Sequence, residues 1–198
     1  MKYLLTAAAS LVLAACTSPD QSASVITSEE SAANLTSVQL AVEQSVVEID
    51  NMRSTLAKSI SADEAVDAET FARVCKPVGM RMKETAAANG WQMRQVATRF
   101  RNPANQADSV AATIIARFAD NPDLDKLWIE TSVDGVHGQR YFHRITVENA
   151  CLACHGEKEA RPAFIKEKYP NDKAHGFSDG ALRGLYSVFV PEPSPAQS

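Results

Sequence analysis

The sequence predicts one α+β domain in which helices pack around a small antiparallel sheet. Two observations favour this class. Apolar residues recur at helical spacing in three segments, and they alternate with polar residues in two later segments joined by a tight turn. The chain has 198 residues, 45% of them apolar and 22% charged, proportions typical of a globular domain with a single core.

The first two elements are predicted to be long helices. An amphipathic helix is expected over residues 31–58, where the apolar residues are Leu35, Val38, Leu40, Val42, Val46, Val47, Ile49, Met52 and Leu56. A second helix is expected over residues 67–89, with one continuous face formed by Phe71, Val74, Cys75, Val78 and Met82. Pro77 should kink this helix because its ring removes the hydrogen bond to the carbonyl of Arg73. Asn89-Gly90 ends it.

The middle of the chain adds a strand and a third helix. Residues 93–100 have the pattern of a strand, which Arg101-Asn102-Pro103 interrupts. A helix is expected over residues 107–119, with a core face formed by Val110, Ile114, Ile115 and Phe118.

The last part of the chain predicts the rest of the sheet. Residues 127–133 and 140–147 form a hairpin around the turn Asp134-Gly135. Residues 185–190 form a final strand that Pro191 stops. The domain is therefore expected to span residues 31–191, followed by a disordered tail over residues 192–198.

The N-terminal segment has the organisation of an export signal. Lys2 supplies a positive charge, and residues 4–15 form a short apolar stretch rich in Leu and Ala. Leu13-Ala14-Ala15-Cys16 resembles the lipobox of bacterial lipoproteins, in which the cysteine thiol receives a diacylglycerol. We therefore expect residues 1–15 to be a signal peptide, Cys16 to be lipidated, and residues 16–30 to be a flexible tether. An ordinary secretory signal with a chance cysteine is the alternative.

Composition excludes several classes of protein. The net charge of −4 leaves no basic excess to contact phosphates, so no nucleic-acid partner is expected. No apolar run is long enough to cross a bilayer, which excludes a polytopic membrane protein. The signal peptide instead predicts a lipoprotein that is anchored by its lipid, on the periplasmic side of the outer or the inner membrane.

The chemistry is concentrated in Cys151-Leu152-Ala153-Cys154-His155. Two thiols three residues apart can each add to one vinyl group of a haem, and the following histidine then lies under the iron as the proximal ligand. A zinc site would need two more ligands, and no second C-x-x-C motif is present. A thioredoxin-type dithiol would open the first helix after an early strand, whereas this pair comes late in the chain. We therefore predict one covalent haem c.

Cys16 is assigned to the lipid, and Cys151 and Cys154 are assigned to the haem. Cys75 is then the one cysteine without an assigned role. It is either a small apolar side chain on the core face of its helix or the distal ligand of the iron. Arg73 and Lys76 are expected to favour its thiolate form. The rival distal ligands are Met80, Met82, Met93, His143 and His175, whereas His137 lies at the hairpin turn and is expected to be solvated. Composition alone does not decide between them.

Several longer stretches extend these motifs. They are Cys75-Lys76-Pro77-Val78, Arg101-Asn102-Pro103-Ala104-Asn105, the haem motif through Gly156, Tyr169-Pro170-Asn171-Asp172-Lys173-Ala174-His175-Gly176-Phe177, and Gly180-Ala181-Leu182-Arg183-Gly184-Leu185-Tyr186-Ser187-Val188. With them the chain resembles the single-haem, PAS-like cytochrome c family, long catalogued as a domain of unknown function. Two departures are Ala181, where the family commonly has an acidic residue, and the helix after Asn105, which lacks the usual Pro-Asp opening.

The resemblance implies a PAS-like sheet with flanking helices and a haem ligated by His155 on one side. It also implies that Cys75 matches the family's cysteine and is the opposite axial ligand. A thiolate opposite histidine stabilises ferric iron, so a low reduction potential is expected.

The expected function is that of a low-potential electron-transfer module, or of a sensor of redox state or of a diatomic gas. An iron with both axial positions filled argues against an enzyme, and a separate redox partner protein is required. A binding or scaffold lipoprotein whose haem is structural is the alternative.

Overall fold

The computed structural model describes residues 28–61 and 64–193, with side chains from residue 36 onward. The helices are α1 (Ser28–Lys58), α2 (Ala68–Asn89), α3 (Ser109–Asp120), α4 (Leu152–His155) and α5 (Ala163–Lys168). The strands are β1 (Gln92–Val96), β2 (Lys126–Val133), β3 (Val136–Thr146) and β4 (Leu182–Pro191). They form one antiparallel sheet in the order β1-β4-β3-β2. The predicted α+β class is confirmed.

The ends of α2 follow from its capping residues. The Asp67 side chain accepts hydrogen bonds from the backbone N–H groups of Glu69 and Thr70, which have no partner inside the helix. Gly90 ends the helix in the left-handed conformation, at φ 69°. Pro77 lies inside the helix, which continues to Asn89 on its far side.

The face that α2 buries differs from the predicted one. The buried residues are Thr70, Val74, Val78 and Met82, whereas Cys75 is exposed. Cys75 follows Val74 by one residue and is therefore turned by about 100° around the helix axis. The prediction that Cys75 lies on the core face was wrong, because the buried stripe is narrower than the apolar pattern.

Apolar side chains cover both faces of the sheet. Helices α1 and α2 pack on one face, in a cluster that contains Val42, Val46, Ile49, Val78, Met82, Tyr141, Tyr186 and Val188. Helix α3 packs on the other, in a cluster that contains Val96, Ile114, Ile115, Phe118, Phe142 and Leu185. Tyr141 and Phe142 point to opposite faces, as neighbours in a strand do. On α1, Leu40 and Val47 are exposed instead of facing the core.

The first strand is shorter than predicted. It ends at Val96 because the next residue leaves the sheet: Ala97 N–H donates to the carbonyl of Asn105 at 2.9 Å, and its own carbonyl accepts from Ala107 N–H at 3.1 Å. Residues 98–102, which include three residues predicted to be strand, are therefore outside the regular elements. This places the side chains of Arg99 and Arg101 in a loop.

Further boundaries differ from the predictions. Helix α1 begins at Ser28, inside the predicted tether and before the predicted domain start at residue 31. Helix α3 begins at Ser109, where the Asp108 carboxylate accepts from Ala111 N–H at 2.8 Å, and Ala111 rather than Val110 is buried. Strands β3 and β4 begin earlier than expected, at Val136 and Leu182. The hairpin turn is as predicted, since Asp134 and Gly135 both have positive φ.

The predicted signal peptide, the lipidation site Cys16 and most of the tether lie outside the described residues, as do residues 194–198 of the predicted tail. Within residues 28–61 and 64–193, no helix has the length and apolarity to cross a membrane.

Candidate functional site

The C-x-x-C-H motif lies in one compact turn after β3. A 3₁₀ turn, Asn149–Cys151, runs directly into α4, so Cys151, Cys154 and His155 follow one another on a single helical segment. Cys151 and Cys154 are free thiols, as is Cys75. Among the described residues, no three His, Cys, Asp or Glu side chains are grouped so that they could hold a metal ion.

The His155 ring has a defined orientation and protonation state. Its Nδ1 lies 2.7 Å from the carbonyl oxygen of Ala174 and 3.5 Å from Arg101 Nη2. The carbonyl is much the nearer partner and only accepts, so Nδ1 carries the proton. Burial, with the charges of Arg183 and Arg101, lowers the pKa of His155 to about 3. The ring is therefore neutral at pH 7, and its Nε2 presents an unprotonated lone pair.

The carbonyl of Ala174 belongs to residues 172–177, which we call the strap. The buried carboxylate of Asp172 holds it: Oδ1 accepts from Ala174 N–H at 2.7 Å, and Oδ2 accepts from Arg161 at 2.7 Å and from Arg101 at 3.1 Å. Burial would raise the pKa of Asp172, but these donors outweigh it and lower that pKa. At the other end of the strap, Phe177 N–H donates to the carbonyl of His155 at 3.0 Å.

Two arginines join the motif to the rest of the domain. Arg101 donates to the carbonyl of Cys154 at 2.5 Å while it pairs with Asp172. Arg53 of α1 lies between Asp50 at 2.7 Å and Glu148 at 3.1 Å, and its Nη1 is 3.9 Å from the Cys151 sulfur. Both ends of the motif are therefore tied to charged side chains from distant parts of the chain.

Cys75 lies close enough to the motif for the charges of Cys151 and Cys154 to act on its thiol. Burial raises the pKa of its thiol to about 11, and the thiols of Cys154 and Cys151 add to the effect, whereas Arg101 and Arg53 oppose it. The residue is nevertheless exposed to solvent. The three thiols thus share one environment.

The expectation that Arg73 and Lys76 favour the Cys75 thiolate was wrong for the free thiol. Arg73 points away, toward Glu64 at 2.5 Å and Ser59 at 3.2 Å. The guanidinium groups that act on the thiol are those of Arg101 and Arg53, and burial outweighs them.

The rival ligands lie in other surroundings. Met82 and Met93 pack in the cluster under α1 and α2, and Met80 is 50% exposed. His143 lies in β3, where Nδ1 is 3.1 Å from the Tyr141 hydroxyl. His175 lies in the strap, and its carbonyl accepts from Arg99. His137 is exposed beside Glu192 at 3.2 Å, as predicted.

Comparison with known proteins adds to this geometry. The family model described as Tll0287-like matches residues 20–191. The chain therefore belongs to the Tll0287-like family. A solved structure described as the cyanobacterial heme-protein Tll0287 is 42% identical, with a TM-score of 0.70, over 81% of this chain and 98% of that one. No curated protein matches the chain.

Sequence reasoning missed the residues that orient the histidine in this Tll0287-like domain. Asp172 and Ala174 act on His155 from a stretch that has no helical or strand periodicity. Arg101 acts from a loop that the sequence suggested was partly strand. All three residues lie in the stretches that carry the family resemblance, so the resemblance was the available signal for them. It does not indicate which atoms are in contact.

Proposed function

We propose that this domain binds one haem c, attached through thioethers to Cys151 and Cys154, with His155 as an axial ligand of the iron. The observation that carries the proposal is the hydrogen bond from His155 Nδ1 to the carbonyl of Ala174. It leaves Nε2 unprotonated, directly after two free thiols at the spacing that haem attachment requires. The similarity to a heme-protein supports the same conclusion.

The donor set fits covalent attachment. Each thiol adds its sulfur and its hydrogen across one vinyl double bond, so that no oxidant or reductant is consumed. When bound, the haem supplies a one-electron ferric/ferrous couple. The protein presents both thiols and the imidazole from residues 149–155, and the strap fixes the ring. A histidine ligand whose second nitrogen donates to a carbonyl keeps its tautomer and its orientation.

Cys75 is proposed as the opposite axial ligand. Its support is the shared environment of the three thiols, together with Arg53 and Arg101, whose positive charges favour the thiolate. An anionic sulfur stabilises ferric iron and therefore lowers the reduction potential. If Cys75 ligated the iron, ferrous iron would hold the anionic sulfur less strongly, and a diatomic gas such as carbon monoxide or nitric oxide could take its place.

These ligands would favour a low-potential electron-transfer or redox- and gas-sensing module rather than an enzyme, because together they would fill both axial positions. The proposed module is PAS-like and works with a separate redox partner protein. Its export as a lipoprotein, with lipid on Cys16, rests on the sequence alone. Detergent phase partitioning of the Cys16→Ser variant tests that part: the variant should move to the aqueous phase, and unchanged partitioning contradicts lipidation.

The haem proposal is tested on the exported protein. After acid–acetone extraction the haem should remain with the polypeptide, whereas in the Cys151→Ala, Cys154→Ala double variant it should move into the solvent. Release from the unaltered protein contradicts covalent attachment. The Cys75→Ser variant should lose the long-wavelength thiolate band of the ferric spectrum and have a higher potential. An unchanged spectrum and potential would exclude Cys75 as the ligand.

A potential titration of the same protein tests the function. A reversible couple well below that of His/Met cytochromes, with gas binding confined to the reduced form, supports the redox module. A haem that is not reduced within the physiological range would instead indicate a structural haem in a scaffold lipoprotein.

A further inference from the structure

Two guanidinium groups lie on one aromatic ring at the end of the strap. The Arg99 guanidinium carbon is 3.9 Å from the centre of the Phe177 ring, and that of Arg183 is 5.4 Å from it. The Phe177 ring in turn meets the His155 ring edge-on, with centroids 6.2 Å apart and an interplanar angle of 80°. The Phe177 ring is therefore adjacent both to the two guanidinium groups and to the His155 ring.

Main-chain contacts hold the pair in place. Arg183 Nη1 donates to the carbonyl of Arg99 at 2.9 Å, and Arg99 Nη2 donates to the carbonyl of His175. Arg183 extends from β4, while Arg99 lies in the loop after β1, which pairs with β4. These bonds use part of the donor set of each guanidinium and leave other N–H groups available, since each carries five.

The charge of this pair is not balanced as it is for the other arginines of the site. Arg53 has Asp50 and Glu148, and Arg101 and Arg161 share Asp172. Among the described residues, no carboxylate lies within salt-bridge distance of Arg99 or Arg183. Among the described residues, the two positive charges thus lie side by side without a direct ion-pair partner, although the more distant Asp172 carboxylate acts on Arg183.

The surroundings of Arg183 make this imbalance costly. Burial, followed by the charges of Arg101 and Arg99, lowers the pKa of Arg183 to about 10. A partly buried cation that lies near other cations and has no ion-pair partner destabilises the fold. A bound anion offsets that destabilisation. Two adjacent guanidinium forks suit a ligand with two carboxylates, because each fork can bind one carboxylate through two hydrogen bonds.

We propose that Arg99 and Arg183 form a carboxylate-binding pair that receives the two propionate groups of the haem. The assignment rests on the proposed haem site. A haem carries two propionates on the edge opposite to the vinyl groups, and hence away from the thiols that bind those vinyls. Phe177 holds the two guanidinium groups at a set distance from the His155 ring, so that one strap orients the axial ligand and the cations together.

The test compares haem-loaded variants at one pH and ionic strength. Arg183→Gln keeps a donor for the Arg99 carbonyl but loses the charge, and Arg99→Gln is its counterpart. Arg117→Gln, which removes an exposed arginine of α3, is the matched control. Removing a cation that pairs with a propionate should favour ferric iron about tenfold, a fall in potential of about 59 mV for a one-electron couple. The control should leave the potential unchanged.

A second readout separates a direct contact from a field effect. Resonance Raman spectra report the bending modes of the propionates, whose frequencies fall when a hydrogen-bond donor is lost. Both Gln variants should show the fall. Arg183→Lys, which keeps the charge but not the fork, should restore the potential more fully than the bending frequency. A lower potential with unchanged propionate modes overturns the proposal, as do potentials equal to that of the control.

Two further measurements identify which anion the Arg99 and Arg183 pair binds. Inorganic phosphate at constant ionic strength should not move the potential of the unaltered protein, because the propionates occupy the pair. A phosphate-dependent shift that is lost in Arg183→Gln would assign the pair to a free anion instead. Haem retention after acid–acetone extraction is measured on every sample. If haem is retained while the Raman and potential effects are absent, the propionate assignment alone fails. Release of haem from the unaltered protein overturns both proposals.

Discussion

His143 and His155 are both half-buried histidines with a polar partner on Nδ1. They differ in what fixes the ring and in the charges that surround it. His143 is placed by strand register, opposite Lys126 and Tyr186. Its partner is a tyrosine hydroxyl, which donates or accepts, so either tautomer fits. His155 is placed by a carbonyl that accepts only, in a segment tied down by Asp172.

The charges around the two rings also differ. The carboxylates of Asp50, Asp125 and Glu43 act on His143 and oppose the effect of burial on its pKa, and Lys126 offsets part of their effect. Around His155 the arginines Arg183 and Arg101 reinforce burial. Residue type and burial thus do not distinguish the two histidines, whereas the ring partner and the sign of the surrounding charge do.

The largest expected effect tests which histidine ligates the iron. His155→Gln should abolish the low-spin spectrum of the haem-loaded protein, because the side chain that replaces the imidazole is a poor iron ligand. His143→Gln, the matched variant in β3, should leave the visible spectrum unchanged. A spectrum altered equally by both substitutions would remove the functional distinction between the two regions.

The next effect concerns the support of the strap. Asp172→Ala leaves Arg101 and Arg161 without their shared carboxylate, and the free energy of unfolding should fall by about 3 kcal/mol, as for other buried ion pairs. Urea denaturation measures it. As a control, Asp125→Ala removes an exposed carboxylate 3.8 Å from Arg144 and should cost less than about 0.5 kcal/mol. Equal costs would mean that the strap is not held by Asp172.

The protonation of His155 predicts a pH dependence in the Cys151→Ala, Cys154→Ala variant once its non-covalently held haem has been removed. Its folded pKa of about 3 lies below the ordinary value of 6.5, so the unfolded chain binds more protons between these values. Stability should therefore fall as pH drops from about 6.5 toward 3, with a contribution of at most about 1.4 kcal/mol per pH unit. Adding His155→Gln should remove that contribution, whereas an unchanged slope would contradict a neutral, buried ring.

The smallest expected effect is that of the Tyr141 hydroxyl. Tyr141→Phe removes its contact with His143 and should cost about 1 kcal/mol in the free energy of unfolding. The visible spectrum and the reduction potential of the haem should not change. A shift in potential would show that the β3 region acts on the iron, contrary to the difference drawn between the two histidines.

The local features of the fold were predictable from the sequence. Asp67, Asn89-Gly90 and Asp134-Gly135 act through bonds and dihedral angles within a few residues, and the structure has the predicted helix ends and turn. The C-x-x-C-H spacing is equally local. Such features depend on the chain's own neighbours, so periodicity and turn chemistry suffice to find them.

The site depends on contacts that no local pattern contains. Arg101 and Asp172 are 71 residues apart, and Arg53 and Cys151 are 98 apart. The end of β1 at Val96 follows from main-chain bonds to Asn105 and Ala107, which a strand pattern does not indicate. The exposure of Cys75 likewise depends on which stripe of α2 meets α1 and the sheet.

The main-chain acceptor of His155 has an evolutionary consequence. Because the oxygen at position 174 belongs to the backbone, every amino acid at that position supplies it, and no single codon change deletes it. Variation can displace this acceptor only by moving the strap, through Asp172 or its arginines. Substitutions that adjust this site should therefore accumulate at those anchoring positions, while position 174 itself drifts among small residues that fit its buried place.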